Sequence, residues 1–508
     1  MAESGGFEPP VELLVLQRFS KPPPSATRPT LRTLGFLGLV VIIPCPPRIP
    51  QLNPVPGRVD WFCLGVTVGA VTRGARKMRL LPLVAATYFM VSGGPYGLED
   101  IIGMAGYGGA LLLLFTVPLF WSLPTALMVG ELASAMPEEG GFYQWVKRAM
   151  GPFWGFQEAW LSLAASVFDM AIYPTTFVLY LSHVAPSLTA GHRGLLLKLA
   201  IVAISAAWNL RGAASVGSGS AKMMAVSLSP FVVLIGLAVW GALRHGVAFG
   251  SGGPLPERDI AGALLVTLWN YMGWDNASTI AQEVENPQQN YPRAMFASAL
   301  TVMCVYTLPL AAVWMAGIPA ARFSTGAWVD AAGVLGGSAL AVAVVLAGSL
   351  DGLGTFNALT LSLTRLPYAM AEDGLLPKVL AKRWSNGVPW VSVLACSVGW
   401  ALALSFTFER LISIDLVLYG GALVLEFIAL VVLRVREPGL ARPFRVPGGL
   451  FATAVIGLGP TALIGFALWA ARGERVAGLP ALGFAAVVAA AGPVVYLVAR
   501  RGTPSPRT

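Results

Sequence analysis

The sequence predicts an all-α polytopic membrane protein with twelve transmembrane helices. The 508 residues are 56% hydrophobic and only 12% charged, whereas about a quarter of the residues in an ordinary soluble domain are charged. Apolar runs recur between residues 80 and 499, and runs of roughly 18 residues are long enough to cross a hydrocarbon core of about 30 Å. Two of the runs are interrupted by glycine-containing motifs, which indicates a membrane fold with discontinuous helices.

Residues 1–77 differ from the rest of the chain. The apolar run LGFLGLVVII at 34–43 is too short to span a membrane and is followed by PCPPRIP. These residues hold nine Lys/Arg and four Asp/Glu, so more than half of the net charge of +9 lies here and does not indicate nucleic-acid binding. We therefore expect residues 1–77 to be a disordered extension or a mis-assigned start, with Met78 as the physiological first residue.

From Met78 onward, hydropathy predicts twelve spans. In order, they are 80–105, 108–135, 153–184, 193–210, 218–243, 259–285, 293–317, 334–365, 388–407, 410–433, 450–472 and 478–499. The resulting organisation is a first unit of spans 1–5 at 78–245, a second unit of spans 6–10 at 246–433, spans 11–12 at 434–499 and a cytoplasmic tail at 500–508.

Basic residues in the connecting loops predict the orientation. If span 1 begins in the cytoplasm, 20 of the Lys/Arg residues from residue 73 onward lie on the cytoplasmic side and eight on the other. Cytoplasmic loops carry an excess of Lys/Arg. We therefore expect a multi-pass protein of the cytoplasmic (cell) membrane with both termini in the cytoplasm.

The first and sixth spans carry the interruptions, VSGGPYGLED at 91–100 and NYMGWDNAS at 270–278. With five spans in each unit these two spans are equivalent, and the odd number inverts the second unit relative to the first. Paired interruptions of this kind are typical of inverted-repeat transporters with a substrate site near the middle of the membrane. The sequence thus predicts a five-plus-five inverted repeat with discontinuous helices 1 and 6.

The first interruption predicts unwound backbone that holds a ligand. Glycine relaxes the backbone and Pro95 removes a hydrogen-bond donor, and unwound backbone at membrane depth is tolerated only where it lines a cavity or is buried in protein. A glycine-lined packing face between helices is the alternative. The candidate substrate-binding residues here are Ser92, Gly93, Gly94, Tyr96, Gly97, Glu99 and Asp100.

The second interruption adds Tyr271, Gly273, Trp274 and Asp275 as candidates. Tyr271 and Trp274 are aromatics that gate or sandwich a ligand, or else packing residues. Asp275 binds a ligand, or else complements the helix dipole at the start of the second half-helix.

Carboxylates at membrane depth exceed their basic partners. They are Glu99, Asp100, Glu131, Glu158, Asp169, Asp275, Glu283, Asp351, Asp415 and Glu426, of which Glu158, Glu283 and Asp415 also fit solvated span ends. Intramembrane acids are functional candidates by default, and a surplus favours a cationic substrate, protons or both. Asp169 and Asp351 are also candidates for proton coupling. Lys222 is a candidate as a fixed or titrating charge, although the excess of basic residues in cytoplasmic loops favours its role as a cytoplasmic anchor.

The sequence offers little for enzymatic chemistry. Its four cysteines show no metal-ligand spacing, and its three histidines lie at or near predicted loops. We therefore expect no catalytic residue, no metal and no cofactor. A non-transporting sensor or enzyme and a channel are minor alternatives.

Several motifs resemble the amino acid–polyamine–organocation (APC) superfamily, and within it the plant polyamine uptake transporters. They are VSGGPYGLED, PEEGGFYQWVKRAMGPFWGFQEAW, YPTTFVLY, WDNASTIAQEVENP and RPFRVPGG, and the likeness covers roughly residues 80–450. The resemblance implies the APC-type (LeuT-type) five-plus-five repeat with two extra helices, substrate at the breaks of spans 1 and 6, and usually proton-coupled uptake. Asp100, Asp169 and Asp275 match positions at which the plant proteins are acidic. Met90, in contrast, stands where those proteins typically have an acid.

The sequence therefore predicts a secondary transporter, not an enzyme, that imports a polyamine or an amino acid by proton symport with alternating access. Its partners are this small molecule, protons and the lipid bilayer, with the oligomeric state left open. In the polyamine interpretation, Glu99, Asp100, Asp169 and Asp275 bind amine ends or the proton. In the alternative, a neutral or cationic amino acid permease or exchanger holds the substrate carboxylate on N–H groups of Ser92–Gly94, with the amine on span 6 carbonyls and the side chain toward spans 3 and 8.

Overall fold

The computed structural model describes residues 77–250, 258–404, 409–473, 475–476 and 479–501. Apart from Lys77, the predicted N-terminal extension lies outside the described residues, so this expectation stays a prediction. Most of the described backbone is helical, as the sequence predicts.

The α-helices of the described residues are numbered in chain order. They are α1 (Leu80–Val91), α2 (Glu99–Phe120), α3 (Ser122–Ala135), α4 (Phe142–Met150), α5 (Pro152–Ser182), α6 (Pro186–Thr189), α7 (His192–Asn209), α8 (Ala213–His245), α9 (Ile260–Asn270), α10 (Pro287–Met315), α11 (Ala327–Leu363), α12 (Arg365–Glu372), α13 (Trp390–Ala403), α14 (Glu409–Arg436), α15 (Gly449–Ile456), α16 (Leu458–Ala470) and α17 (Ala481–Arg501). Short 3₁₀ helices cover Asp275–Thr279, Ala281–Glu283, Ala320–Arg322, Lys378–Ala381 and Ala471–Gly473. Strands β1 (Arg475–Val476) and β2 (Leu479–Pro480) pair antiparallel.

Eight helical stretches of the described chain are long and apolar enough to cross a membrane. They are Glu99–Ala135, Pro152–Ser182, Ala213–His245, Pro287–Met315, Ala327–Glu372, Ile414–Arg436, Gly449–Gly473 and Ala481–Arg500. They lie at predicted spans 2, 3, 5, 7, 8, 10, 11 and 12. Shorter helices lie at the other four positions: α1, α7, α9 and α13. The multi-pass helical fold is confirmed, whereas the count of twelve spans stays a prediction.

Both predicted interruptions are present in the backbone. The α1 helix ends at Val91 and α2 begins at Glu99, while α9 ends at Asn270 and a 3₁₀ turn begins at Asp275. Inside α2, Gly106 has φ +71° and bends the chain, a conformation that favours glycine. The second half of span 1 therefore ends at this bend, close to its predicted end.

Two local predictions were incomplete. The segment Phe142–Met150, between predicted spans 2 and 3, is a helix that the predicted spans do not include; one face of this amphipathic helix is buried and the other is polar. The second half of span 6 is 3₁₀ rather than α-helical. Its sequence DNAST is rich in side chains that bond to nearby backbone instead of supporting an α-helix, as Thr279 does by donating to the Asn276 carbonyl over 3.0 Å.

The long helices α5 and α11 pack around the interrupted segments. The α11 helix contacts α5, α8 and α1, and α5 also contacts α14. The 3₁₀ helix Asp275–Thr279 of the second interruption contacts both α1 and α11. Residues from these elements consequently surround the two interruptions.

Ionic and backbone contacts join several segments at the end of the bundle where α1 begins, which we call the Met78 end. The Met78 N–H donates to the Glu283 carbonyl over 2.8 Å. The buried Arg365 guanidinium lies 2.8 Å from the Glu283 carboxylate, and Arg383 lies 2.9 Å from that of Glu139. These contacts tie the end of span 6 to the start of α1 and to α12, and tie the segment before α4 to the chain after α12.

We expect the ion pair of Arg148 and Glu437 at this end to stabilise the fold only slightly. Two nitrogen–oxygen contacts of 2.9 and 2.6 Å join these side chains, and both are well exposed, so solvent screens the pair to about 0.2–1 kcal/mol. The Arg148 guanidinium holds the pKa of the Glu437 carboxyl below its usual range. Stabilisation is therefore present above the ordinary pKa of Glu437 and is lost as pH falls through its lowered value. A double-mutant cycle with Arg148→Ala and Glu437→Ala, measured by unfolding in detergent, checks this; coupling that persists at high salt would contradict it.

Candidate functional site

Polar contacts of its own residues fix the first interruption. The Ser92 hydroxyl accepts from the Gly94 N–H over 3.1 Å, and the Glu99 carboxylate accepts from the Gly97 N–H over 2.6 Å. Gly94 and Gly97 have φ of +67° and +90°, values at which a side chain is strained. Glycine at these two positions therefore lets the chain turn between α1 and α2.

The acids after this turn anchor it to neighbouring segments. Glu99 is buried and accepts hydrogen bonds from the Tyr180 hydroxyl of α5 and, over 3.3 Å, from the Gly326 N–H. The Thr325 hydroxyl donates to Asp100 over 2.7 Å. Glu99 and Asp100 line neither of the cavities described below, and their visible contacts are those of positioning residues.

The second interruption touches the first. A Cβ atom added to Gly273 would lie 2.3 Å from the carbonyl oxygen of Met90, at the end of α1. The Gly273 N–H donates to the Tyr419 hydroxyl of α14 over 3.0 Å, and this hydroxyl donates to the Asp275 carboxylate. Gly273 thus permits close contact of the two interruptions, and Tyr419 joins both to α14.

A cavity lies beside this contact, and we call it the Asp275 cavity. Its volume is about 40 Å³, room for a few water molecules. It is lined by Met90, Val91, Ser162, Ala165, Ser166, Asp169, Tyr173, Trp269, Met272, Gly273, Asp275, Asn276, Leu363, Asp415 and Tyr419. Three of the lining side chains are aspartates, contributed by α5, the second interruption and α14.

A second cavity, the Asp351 cavity, lies along the first interruption. It has a volume of about 20 Å³ and is lined by Gly93, Tyr96, Gly97, Tyr173, Thr176, Tyr180, Trp269, Thr325, Asp351, Gly352 and Thr355. The carboxylate of Asp351 is buried and faces the glycine backbone: a Cβ atom added to Gly94 would lie 3.0 Å from its Oδ1. That oxygen has no hydrogen-bond partner among the described residues.

Tyr173 and Trp269 line both cavities and form the boundary between them. Their rings stack with centroids 6.3 Å apart. The Oδ1 atom of Asp169 accepts a hydrogen bond from the Tyr173 hydroxyl over 2.7 Å and from the Trp269 indole N–H over 3.3 Å. One carboxylate oxygen therefore holds both aromatic residues of the boundary.

The Asp275 cavity is strongly acidic. Glu158 and Glu426 are buried outside the cavity lining and interact electrostatically with Asp275, as Asp415 does with Asp169. No lysine, arginine or histidine is among the described residues that line the cavity. Low-dielectric walls with charges of one sign attract ions of the opposite sign, so this cavity suits cations.

Several predicted site residues lie elsewhere. The Tyr271 hydroxyl donates to the Leu114 carbonyl of α2 over 2.9 Å, and Trp274 is buried; neither lines the Asp275 or the Asp351 cavity. Lys222 is exposed on α8 and lines neither cavity. Ser92 and Gly94 shape the first interruption but line neither of these two cavities.

Two acids from the predicted surplus have basic partners. Both oxygens of buried Glu131 bind the Arg434 guanidinium, and Arg442 of the RPFRVPGG motif lies 3.1 Å from the same carboxylate. Glu283 pairs with Arg365. These carboxylates are neutralised by ion pairs and do not contribute to the attraction of cations.

Sequence reasoning missed several lining residues, among them Tyr173, Trp269, Asp415 and Tyr419. Asp415 was attributed to a solvated span end as an alternative, yet it is only 2% exposed. Tyr173 lies four residues after Asp169, and Tyr419 four residues after Asp415, so each pair shares one helix face. That spacing was a usable signal, whereas nothing local marked Trp269.

Comparison with known proteins identifies the family. The sequence profile described as amino acid permease matches residues 84–490. The chain belongs to the amino acid permease family. This permease is therefore a membrane transporter rather than an enzyme, as the sequence predicts.

The permease is also similar to proteins of the predicted branch. It is 33% identical over 482 residues to polyamine transporter PUT1 of Oryza sativa subsp. japonica, which covers 92% of this chain and 89% of the relative. It is 34% identical over 427 residues to polyamine transporter RMV1 of Arabidopsis thaliana, covering 82% and 87%. The serine/threonine exchanger SteT of Bacillus subtilis (strain 168) is 26% identical over 342 residues, covering 64% and 75%. The resemblance to the plant polyamine transporter branch of the APC superfamily is confirmed.

Proposed function

We propose that this permease imports a polyamine across the cell membrane by proton symport, with alternating access around the Asp275 cavity. The observation that carries the proposal is the set of three aspartates that line this cavity, without a described basic lining residue. Polyamines are chains of protonated amines, and buried carboxylates bind them through charge-assisted hydrogen bonds. The names of the two plant relatives agree with this substrate class.

The position of Asp351 argues against an amino acid as the main substrate. An amino acid would place its carboxylate against the N–H groups of Ser92–Gly94. The Asp351 carboxylate already faces that backbone, because the Cβ positions of Gly93 and Gly94 lie 3.6 and 3.0 Å from its oxygens. Two carboxylates at one site repel each other, whereas an ammonium group there would be attracted.

Asp169 couples substrate binding to the boundary between the cavities, because it accepts hydrogen bonds from both aromatic residues of that boundary. An ammonium group that binds Asp169 Oδ1 competes with the Tyr173 hydroxyl and the Trp269 indole for this oxygen. Loss of these two hydrogen bonds frees the aromatic pair to move, which lets the Asp275 and Asp351 cavities join. Both cavities are too small for a polyamine in this conformation, so such a widening is part of the proposed cycle.

The coupling proton is proposed to travel on buried acids. Asp169 and Asp351 line the two cavities, so each can exchange a proton with a transported ion or with water there. Lys222, the other sequence candidate, is exposed on α8 and has no role in this proposal.

The proposed cycle uses the predicted architecture. It consists of spans 1–5 (78–245) and spans 6–10 (246–433) as an inverted five-plus-five repeat, followed by spans 11–12 (434–499). Both termini are cytoplasmic, so the Met78 end faces the cytoplasm. The close approach of Gly273 to the Met90 carbonyl supports this scheme because it brings the interruptions of predicted spans 1 and 6 together.

Transport by purified protein in liposomes tests the proposal. We expect saturable uptake of 1,4-diaminobutane and spermidine, accumulation driven by an inward proton gradient, and little uptake of serine or arginine. Ligand at about 100 times its Kd should also stabilise the protein in detergent by about 2.7 kcal/mol. Empty liposomes and a collapsed proton gradient are the controls.

Different results would revise different parts of the proposal. Saturable uptake of amino acids without uptake of amines would replace the substrate class. Amine uptake that ignores the proton gradient would remove the symport mechanism. Flux that neither saturates nor concentrates the amine would indicate a channel.

A further inference from the structure

Asp415 is a buried acid with an unused acceptor. It lies on α14, is 2% exposed and lines the Asp275 cavity. Its Oδ2 atom has no hydrogen-bond partner among the described residues. An ionisable group inside a membrane segment is costly without a partner, so this oxygen points to a ligand that supplies one.

The other two aspartates of the cavity already have donors. Asp169 accepts from Tyr173 and Trp269, and Asp275 accepts from Tyr419. Asp415 precedes Tyr419 by one helical turn, so it lies on the same face of α14, displaced along the helix by about 6 Å. The cavity therefore offers a second anionic position beside the Asp275–Tyr419 pair.

Apolar residues complete the surface around these acids. Met90, Val91, Ala165 and Leu363 line the same cavity. Carboxylates at separated positions, with apolar side chains around them, match a molecule with two charged ends joined by methylene groups. They do not match a monoamine, which has only one charge.

We propose that Asp415 binds the second ammonium group of a diamine or polyamine whose first ammonium group is bound at Asp275 and Asp169. This assignment rests on the proposed amine-transport function. It makes Asp415 a residue that selects amines by their number of ammonium groups. An amine with a single ammonium group would bind only at the first position, formed by Asp275 and Asp169.

Competition binding to the purified full-length protein tests the assignment with two probes that differ by one ammonium group, 1,4-diaminobutane and butylamine. We expect Asp415→Asn to raise the Kd of the diamine at least about tenfold, because a charge-assisted contact is lost. The Kd of butylamine should stay within about twofold. Asp330→Asn is the control, since it removes one carboxylate from an exposed site at the start of α11.

Restoring the charge from another helix makes the test more specific. Met90 lines the same cavity, so Met90→Asp in the Asp415→Asn background should recover most of the affinity for the diamine. Asp415→Glu keeps the charge and extends it by one methylene group, so it should shift preference toward 1,3-diaminopropane. This variant keeps the test usable if Asp415→Asn fails to fold.

Three results would overturn the assignment. Equal losses for the diamine and the monoamine would make Asp415 a general determinant of the site. Unchanged binding of both amines by Asp415→Asn would show that Asp415 does not bind the second ammonium group. An unchanged chain-length preference in Asp415→Glu would show the same. A wild-type protein that binds neither amine would instead overturn the proposed function, and this outcome is seen before any variant is made.

Discussion

Replacing Asp275 with asparagine is expected to abolish saturable amine uptake and to leave the helix bundle folded. The Asp275 carboxylate lines the cavity and accepts from Tyr419, whose hydroxyl in turn accepts from the Gly273 N–H. Asparagine keeps an oxygen for Tyr419 but has no charge for an ammonium group. A hydrogen bond to a charged group contributes about 1.5–3 kcal/mol, which corresponds to a loss of affinity of roughly ten- to hundredfold. Uptake should therefore no longer saturate over the concentration range that saturates the wild-type protein. Radiolabelled uptake into liposomes, with thermal unfolding as the folding check, measures both effects.

Two further variants separate charge from geometry. Tyr419→Phe removes the hydroxyl that orients Asp275 but keeps the carboxylate, so uptake should persist with weaker affinity. Asp169→Asn should abolish saturable uptake, because it removes the charge that holds the ammonium group and the aromatic boundary. Undiminished uptake in both Asp275→Asn and Asp169→Asn would show that the substrate site lies elsewhere.

The interruptions could be predicted because their signals are local. The glycines and the proline in VSGGPYGLED are unfavourable in a helix wherever the segment lies, and the structure breaks the helix there. The same holds for NYMGWDNAS, where Gly273 has φ +89°. Asp275 was found with it because the residues after such a break necessarily lie beside it.

Side-chain partners across the fold could not be predicted in this way. Glu131 and Arg434 are 303 residues apart in sequence, yet they form a buried ion pair. Asp415 looked like a residue at a span end because hydropathy does not reveal which helix packs on it. Only tertiary packing shows that α14 presents it to the cavity.

The directions in which the aromatic side chains of the second interruption point could not be predicted from the sequence either. Tyr271 and Trp274 flank Gly273 and were therefore reasonable candidates for a gate. The conformation of the break instead turns Tyr271 toward Leu114 and Tyr306, with its ring 5.1 Å from that of Tyr306. Trp269, two residues earlier, lines both cavities instead. The sequence alone therefore does not determine where a single aromatic side chain near a non-helical turn points.

Replacing Gly273 with alanine is expected to disrupt both stability and transport. The added Cβ atom would lie 2.3 Å from the Met90 carbonyl oxygen, a backbone atom that can move only with the end of α1. A left-handed conformation costs a residue with a side chain about 1–2 kcal/mol, and overpacking typically adds about 1–3 kcal/mol. Separation of the two interruptions would also displace Asp275 and its partner Tyr419. We expect a clear drop in thermal stability and loss of uptake.

Gly387→Ala is the matched control because it isolates the backbone cost. Gly387 has φ +85°, close to the +89° of Gly273, but no atom within 4 Å of an added Cβ. Its substitution should cost only about 1–2 kcal/mol and leave uptake unchanged. If the two variants lose equal stability and both retain transport, the contact between Met90 and Gly273 is not required. A larger loss in Gly273→Ala alone, accompanied by loss of uptake, would show that the two interruptions function as one unit because their backbones touch.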